Sequence, residues 1–410
     1  MDRSKILSTV AAMLVAANLT SCGQTAKLLT PVDITLPAYS SVEEGALSDF
    51  ALKLFSACHK SGENTLVSPL SVAYALGMTS LGAKGDTLSQ IESLFGIDRE
   101  ALASSLSSVA STLEKAEDSK NHTRLADSVW IRDYYFTPDA DFIKNVGTTY
   151  AADIFSAPFD SSTCKDINSW VKRKTEGTID KILDEIPEDA VMYLVNTLFF
   201  EAEWAEVYKS DNVMDGKFTS YDGTVSDVKM MSSSENEYLS GEGFTGFIKY
   251  YKGGKFGFAA ILPDEGKTVQ DVIGRLDGAA LTKLLSKPEY TSVSVLMPKF
   301  SFEYDIELSE TLEGLGVTDA FDSELADFSG LGKSPRGNIY MSRVLHKTFV
   351  EVAEKGTKAG AATIVEMVDE CALLENRAVT LDRPFAFVIF ETTDNTPLFI
   401  GTLENAENIS

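Results

Sequence analysis

The chain has 410 residues, of which 44% are hydrophobic, so it is long and apolar enough to bury a large core. Its 36 Lys and Arg against 61 Asp and Glu give a formal net charge of −25. Because the longest basic run is only residues 172–174, this balance argues against a nucleic-acid partner.

The N-terminus has the pattern of an export signal. Arg3 and Lys5 precede an apolar run of about 14 residues, which is too short for a membrane span of roughly 20. The run ends in Leu-Thr-Ser-Cys22, which resembles a bacterial lipobox. We therefore predict a lipoprotein signal peptide over 1–21, lipidation at Cys22 and a tether over 22–40. An ordinary cleaved signal peptide is the alternative.

Periodicity predicts helices mainly in the first half of the chain and strands mainly in the second. A helix is predicted over 42–59, a second begins at Ser68-Pro69, and a third runs from Asp86 to a stop at Gly96. Strands are predicted over 191–200, 256–262, 293–297, 300–304 and 385–389. A later helix is predicted over 308–315. This segregation predicts an α+β fold with mostly antiparallel sheets.

The remaining cysteines do not predict a disulfide framework or a metal site, because Cys58, Cys164 and Cys371 are odd in number and widely spaced. Cys58 lies on the apolar face of the first predicted helix, so we expect it to be a small buried hydrophobe.

Enzyme motifs are weak throughout. Residues 241–246 (GEGFTG) match the dinucleotide fingerprint by letter, but a polar run precedes them and a strand-like run follows, where a helix is required. The only histidines are His59, His122 and His346, and Cys371 follows two acidic residues that would raise its pKa instead of activating it. The sequence predicts neither an enzyme nor a cofactor.

The most informative stretch covers residues 354–371. From Thr357 to Met367, alternate positions carry Thr, Ala, Val or Met without a charge, while Lys358 and Glu366 share the other parity. This pattern is typical of a strand with one face fit for burial, yet the flanking residues are polar, as in an exposed loop. An alanine-rich helix is the alternative interpretation.

The neighbouring sequence closely resembles the serpin family, and the matching blocks follow the family's order over roughly 41–406. These blocks are NTLVSPLS (64–71), GAKGDT (82–87), INSWVKRKTEG (167–177), NTLFF (196–200) with Trp204, MPKF (297–300), HKTFVEVAEKGT (346–357), RPFAFVIF (383–390) and PLFIG (397–401).

The resemblance implies a single serpin domain over 41–410. In this fold, helices pack on a large central, mostly antiparallel sheet with smaller sheets, and a reactive loop over about 354–382 is exposed. It also implies a monomeric suicide-substrate inhibitor of serine proteases, and possible activity on cysteine proteases is left open. The loop is cleaved, forms an acyl-enzyme and inserts as a strand of the main sheet, which traps the protease as a covalent complex.

The resemblance assigns roles to individual residues. The hinge residues are Glu354, Gly356, Thr357, Ala359, Ala361 and Thr363. The sheet-opening residues are Ser68, Ser71, Asn196, His346, Trp204 and Lys299, with Lys299 pairing Glu354. Counting from Gly356, the reactive bond is Glu370-Cys371, and the alternative registers are Met367-Val368, Cys371-Ala372 and Leu373-Leu374.

Two further functions remain open at this point. A non-inhibitory serpin-like binding protein or chaperone is the main alternative, and an enzyme is the third. With the lipobox, the leading interpretation is an exported inhibitor that is attached to a membrane by its N-terminal lipid and faces the extracellular side.

Overall fold

The computed structural model describes residues 25–30, 45–133, 137–188, 190–335, 338–357 and 377–406. Its helices are α1 (Ala46–Cys58), α2 (Pro69–Ser80), α3 (Gly85–Phe95), α4 (Arg99–Ala116), α5 (Ala140–Tyr150), α6 (Ser161–Lys174), α7 (Val269–Ile273), α8 (Gly278–Ser286) and α9 (Ser309–Gly314).

Most of the strands lie in the second half of the chain. They are β1 (Lys27–Leu28), β2 (Thr65–Val67), β3 (Asn121–Arg132), β4 (Thr137–Pro138), β5 (Asp153–Ala157), β6 (Met192–Glu203), β7 (Val213–Thr219), β8 (Val225–Gly241), β9 (Phe244–Tyr250), β10 (Phe256–Pro263), β11 (Glu289–Pro298), β12 (Phe300–Glu307), β13 (Gly332–Lys333), β14 (Arg343–Ala353), β15 (Gly356–Thr357), β16 (Arg377–Thr380), β17 (Phe385–Glu391) and β18 (Pro397–Leu403).

Two large sheets organise the fold. The first has the strand order β1-β5-β3-β6-β15-β14-β12. The second has the order β16-β11-β8-β9-β10-β17-β18-β2, with β7 paired to β8. The pairs β3–β5, β6–β14 and β11–β16 are parallel, and the other described ladders are antiparallel. The predicted α+β class with mostly antiparallel sheets is confirmed.

The central strand β6 is buried on both faces. Leu194, Leu198 and Phe200 belong to the main core, which includes α2. Tyr193 and Val195 belong to a second core, which includes the apolar face of α6. Helices therefore cover both sides of the seven-stranded sheet at its centre, and the mostly apolar run in the sequence reflects this double burial.

Helix α2 lies directly beneath β6 and is buried along its whole length. Its start agrees with the predicted signal, because the Ser68 side chain accepts a hydrogen bond from the Ser71 backbone N–H (3.4 Å) and Pro69 takes the first helical position. Cys58 is buried as predicted, at the end of α1.

The fingerprint-like run 241–246 spans a tight turn between two strands. Its first glycine ends β8, and β9 begins at Phe244. The polar run before it belongs to β8, so a strand does precede the motif, but a second strand and not a helix follows it. Because the turn leads into a strand, the motif does not open a helix whose N-terminus would form the anion site of a dinucleotide-binding loop.

Residues 25–30 fall within the predicted tether 22–40, and for them that prediction is wrong. They include β1, which pairs with β5 along the edge of the seven-stranded sheet. The boundaries at 21 and 40 lie outside the described residues and stay predictions. No helix in the described part of the chain is long and apolar enough to cross a membrane.

Candidate functional site

The centre of the seven-stranded sheet is split. Strands β6 and β14 pair directly, in parallel, only from Tyr193–Arg343 to Asn196–His346. At the other end of the sheet, β15 lies between them and pairs with both. Between these contacts, residues 197–201 of β6 and 347–351 of β14 have no ladder partner on the sides that face each other, within the described residues. We call this opening the slit.

The two ends of the slit share one strand register. At the closed end, His346 is opposite Asn196. At the other end, Thr357 of β15 lies between Val352 and Ala202, which keeps the same offset between β14 and β6. The two strands therefore need only a sideways separation, without sliding, to admit a third strand along their whole length.

The predicted hinge residues Gly356 and Thr357 are already seated in the sheet. The Thr357 side chain is 3% exposed, and its Oγ1 lies 2.5 Å from the Tyr251 hydroxyl. A Cβ on Gly356 would lie 1.9 Å from the Ala202 carbonyl oxygen, so only glycine fits this position without moving the backbone. The inward direction predicted for Thr357 agrees with this burial.

Trp204 holds the chain that leads into the hinge. Its indole N–H donates to the Ala353 carbonyl (2.9 Å), and its backbone N–H donates to the Lys355 carbonyl (2.8 Å). Its ring stacks on Tyr251 with centroids 4.3 Å apart. Because Tyr251 also contacts Thr357, one aromatic pair supports both the entry and the seated end of the hinge.

The predicted pair Lys299–Glu354 is present. Lys299 Nζ donates to Glu354 Oε1 at 2.8 Å, and both side chains are about one-third exposed. Burial is the largest single influence on Glu354 and raises its pKa, but the hydrogen bonds from Lys299 and from the Glu354 backbone, together with the charges of Lys299 and Lys355, exceed it, so the pKa of Glu354 is lowered. The pair ties the base of the loop to the start of β12.

A buried ion pair behind Trp204 was missed by the sequence analysis. Lys249 is 2% exposed, and its Nζ donates to Glu235 Oε1 at 2.7 Å. The same ammonium group lies 4.6 Å from the Tyr208 ring centroid and 5.7 Å from that of Trp204. Lys249 is the single charge in the otherwise apolar or aromatic run 247–251, and that was the available signal.

The predicted polar cluster lies at the closed end of the slit. The Ser71 hydroxyl donates to Asn196 Oδ1 (2.9 Å), and the Ser68 backbone N–H donates to His346 Nε2 (3.0 Å). His346 Nδ1 lies 3.2 Å from Asn196 Oδ1, which fits a neutral ring protonated at Nδ1. Burial lowers the pKa of His346 to about 4.

Asp127 extends this cluster to a third strand and was also missed. It is paired with Asn196 across β3 and β6, so Asp127, Asn196 and His346 form one row across three strands. Burial raises the pKa of Asp127 well above its usual range. The available signal was a lone acidic residue among the small and apolar residues of 126–131. This pattern does not indicate which residue Asp127 meets after folding.

Several predicted residues lie outside the described residues. They are Ala359, Ala361, Thr363, Met367, Val368, Glu370, Cys371, Leu373, Leu374 and the lipidation candidate Cys22. Their roles stay predictions.

Comparisons with known proteins agree with this geometry. A family model described as Serpin (serine protease inhibitor) matches residues 45–406. Leukocyte elastase inhibitor A of Mus musculus is 32% identical over 371 residues, which cover 86% of this chain and 96% of the inhibitor.

Two solved structures of a thermophilic serpin, tengpin, are also similar. The native state is 41% identical with a TM-score of 0.89, over 93% of this chain and 100% of that chain. The latent state is 42% identical with a TM-score of 0.79, over 90% and 100%. The described structure therefore matches the native form better than the latent form.

The seating of the hinge can be tested by Gly356→Ala. The new methyl group would collide with the Ala202 carbonyl, so we expect residues 356–357 to leave the sheet and native stability to fall by about 1–3 kcal/mol. Limited trypsin digestion should then cleave faster after Lys355 or Lys358. The control is Lys355→Met, which keeps Gly356 in β15; because it removes the cleavage site after Lys355, only cleavage after Lys358 is compared with it. Equal stability and equal loop protection in Gly356→Ala would contradict the seating.

The polar cluster predicts a pH dependence. His346 has a pKa of about 4 in the folded state and near 6.5 in the unfolded state. Its contribution to the free energy of unfolding is therefore complete above pH 6.5 and is lost as the pH falls toward 4. The loss approaches about 3 kcal/mol at and below pH 4. Urea denaturation midpoints at pH 7 and pH 5 should differ more in the wild type than in His346→Gln, which cannot be protonated. Parallel pH profiles would show that His346 does not carry this dependence.

Proposed function

This chain belongs to the serpin family, and we propose that it is a suicide-substrate inhibitor of serine endopeptidases. The observation that carries the proposal is the slit with its hinge already seated at one end. A protease would cleave the exposed loop and become acylated, and the loop would then enter the slit faster than the acyl bond is hydrolysed. The chemistry belongs to the protease, so the chain acts as an inhibitor and not as an enzyme.

The register defines how the loop would fill the sheet. Continuing the antiparallel ladder of Gly356 and Thr357, residues 358–362 meet 201–197 of β6 and 351–347 of β14, which are the edges of the slit. Residues 363–366 would then replace the four direct β6–β14 pairs that end at Asn196–His346. With net hydrogen-bond energies near 1 kcal/mol, insertion releases on the order of 10 kcal/mol or more, together with the burial of one strand face.

The inward parity explains the small side chains. Since Thr357 points into the protein, Ala359, Ala361 and Thr363 would point the same way after insertion. Lys358 has the opposite parity and would face outward. Insertion must be faster than hydrolysis of the acyl bond, because otherwise the loop is cleaved and the protease is released. The small inward side chains of this loop would allow fast insertion.

The proposed reactive bond is Glu370-Cys371, which implies a protease that accepts an acidic residue. The alternative bonds at Met367-Val368, Cys371-Ala372 and Leu373-Leu374 would suit elastase-like or chymotrypsin-like enzymes. Inhibition of cysteine proteases would follow the same route, because they also form an acyl-enzyme.

We propose that the inhibitor is exported as a monomer and is anchored to a membrane through a lipid on Cys22. The support is the Leu-Thr-Ser-Cys motif after a short apolar run. A non-inhibitory serpin-like binding protein is the alternative function. It would share the fold but would not gain stability from loop insertion.

The first test is incubation of the mature chain with a panel of serine proteases, followed by denaturing gel electrophoresis and mass spectrometry. We expect a covalent complex, and the mass of the released peptide identifies the cleaved bond. Nicking the loop with a non-target protease should raise the melting temperature by more than about 10 °C, because the new strand is then part of the sheet. Cleavage by every protease without any complex, and with no rise in melting temperature, would favour the non-inhibitory alternative.

A matched pair of variants tests the direction of insertion. Ala361→Arg places a charge on the inward parity, whereas Ala362→Arg places it on the outward parity. We expect Ala361→Arg to be cleaved as a substrate, with at least about a tenfold lower yield of complex. Ala362→Arg should stay within about twofold of the wild type. Equal losses in the two variants would contradict the register derived from Thr357.

A further inference from the structure

The segment formed by residues 25–30, the N-terminal segment, is bound at a defined place on the sheet. The backbone N–H groups of Thr25 and Ala26 donate to one Asp166 carboxylate oxygen at 2.8 and 2.9 Å. The Thr25 hydroxyl donates to the same oxygen at 3.0 Å and lies 2.7 Å from the Ser162 hydroxyl. Asp166 is only 8% exposed, so the carboxylate is buried, whereas Thr25 and its contact with Ser162 are exposed.

The rest of the segment joins the sheet. Lys27 and Leu28 pair with Ser156 and Phe155 of β5. The Leu29 backbone N–H donates to the Ile154 carbonyl (2.7 Å), and the Leu29 side chain packs on the main core. Leu28, in contrast, is 40% exposed. Thr30 is buried, and its hydroxyl accepts from the Ile154 backbone N–H (3.2 Å), while Ala26 packs on the second core. The segment is therefore held by backbone pairing, the Asp166 carboxylate, the Thr30 hydroxyl and the side chains of Ala26 and Leu29.

The attachment point lies at the end of the sheet opposite the hinge. Lys27 is level with Ser156, and through β3 this level corresponds to Met192, the first residue of β6. The seated Thr357 is level with Ala202, near the last residue of the same strand. Ten strand residues separate the two levels, a distance of about 33 Å.

The chain before the segment is short. The lipidation candidate Cys22 precedes Thr25 by three residues, which can span at most about 10 Å. A lipid on Cys22 would therefore hold the end of the sheet that contains Met192 next to the bilayer, together with Asp166 of α6. From Thr25 to Thr30 the segment runs along β5 in the direction of the hinge end. Thr25, the residue nearest to the anchor, therefore lies at the end of the segment that is farthest from the hinge.

We propose that the N-terminal segment sets the orientation of the inhibitor on a lipid bilayer. The end of the sheet that contains Met192 faces the membrane, and the hinge and reactive loop face away from it, where they are accessible to a protease. This inference rests on the proposed lipid anchor at Cys22. It adds that the anchor is a short rigid connection through residues 25–30 and not a flexible tether.

Energy transfer from a dye on the protein to acceptor-labelled lipids tests the orientation. The mature lipidated chain is reconstituted in phosphatidylcholine vesicles in a Cys371→Ser background, in which the described cysteines Cys58 and Cys164 are buried. The donor is placed either at the hinge end by Ser119→Cys or at the opposite end by Glu188→Cys, both of which are exposed positions. We expect at least about twofold more transfer from the Glu188→Cys position.

A matched pair of double variants tests the segment itself. Leu29→Asp with Asp166→Ala removes the packing of Leu29 and the three hydrogen bonds to Asp166, so we expect the segment to be released and the difference between the two dye positions to disappear. Leu28→Asp with Lys165→Ala changes exposed neighbours and should keep the difference. Equal transfer from both positions in the wild type, or a difference that survives release of the segment, would overturn the proposal.

The outcome can be separated from that of the inhibitory function. Covalent-complex formation is measured separately, on vesicles that carry the unlabelled chain with Cys371 retained, because the proposed reactive bond includes Cys371. If complexes form but the two dye positions show equal transfer, the inhibitory function is supported and the orientation is rejected. If the transfer differs but no complex forms, the orientation is supported and the inhibitory function is rejected. Recovery of the mature chain only in the soluble fraction would reject both the anchor and the orientation.

Discussion

The slit between β6 and β14 is the feature on which the rest of the structure depends. Among the described residues, 197–201 and 347–351 have a ladder partner on only one side, although both strands belong to the interior of a sheet. Backbone donors and acceptors in such a place favour a further strand. Because the register is the same at both ends, a further strand could pair with both edges of the slit without β6 and β14 sliding past each other.

The two ends of the slit are held by different chemistry. At the closed end, hydrogen bonds join Asn196 and His346 to the start of α2, so parting the strands requires these bonds to be exchanged. At the hinge end, the stacked rings of Trp204 and Tyr251 support backbone contacts that do not depend on one side-chain partner. The hydrogen bonds at the closed end can keep β6 and β14 in register while the strands separate first at the hinge end.

The same sheet separates the N-terminal segment from the hinge. The segment is bound near the level of Met192, whereas Thr357 is seated level with Ala202. The distance between these two levels is therefore set by one strand, β6. Three donors to one Asp166 oxygen hold the segment in place, because a carboxylate with three donors is not easily exchanged for water.

The sequence by itself determined the elements whose side chains repeat with a clear period or carry a local start signal. The N-cap at Ser68, the buried strand β6 and the inward parity of Thr357 all follow from neighbouring residues, so they were predictable. Strand β3 was not predicted, because His122, Arg124 and Asp127 interrupt its alternation and their partners lie in other elements.

Only the tertiary structure placed Asp127 beside Asn196, put Lys249 beneath Trp204 and fixed residues 25–30 to α6 and β5. These contacts join residues that are far apart in the chain. The free energy of a buried charge or a docked strand depends on the partner it meets after folding, and no local pattern encodes that partner.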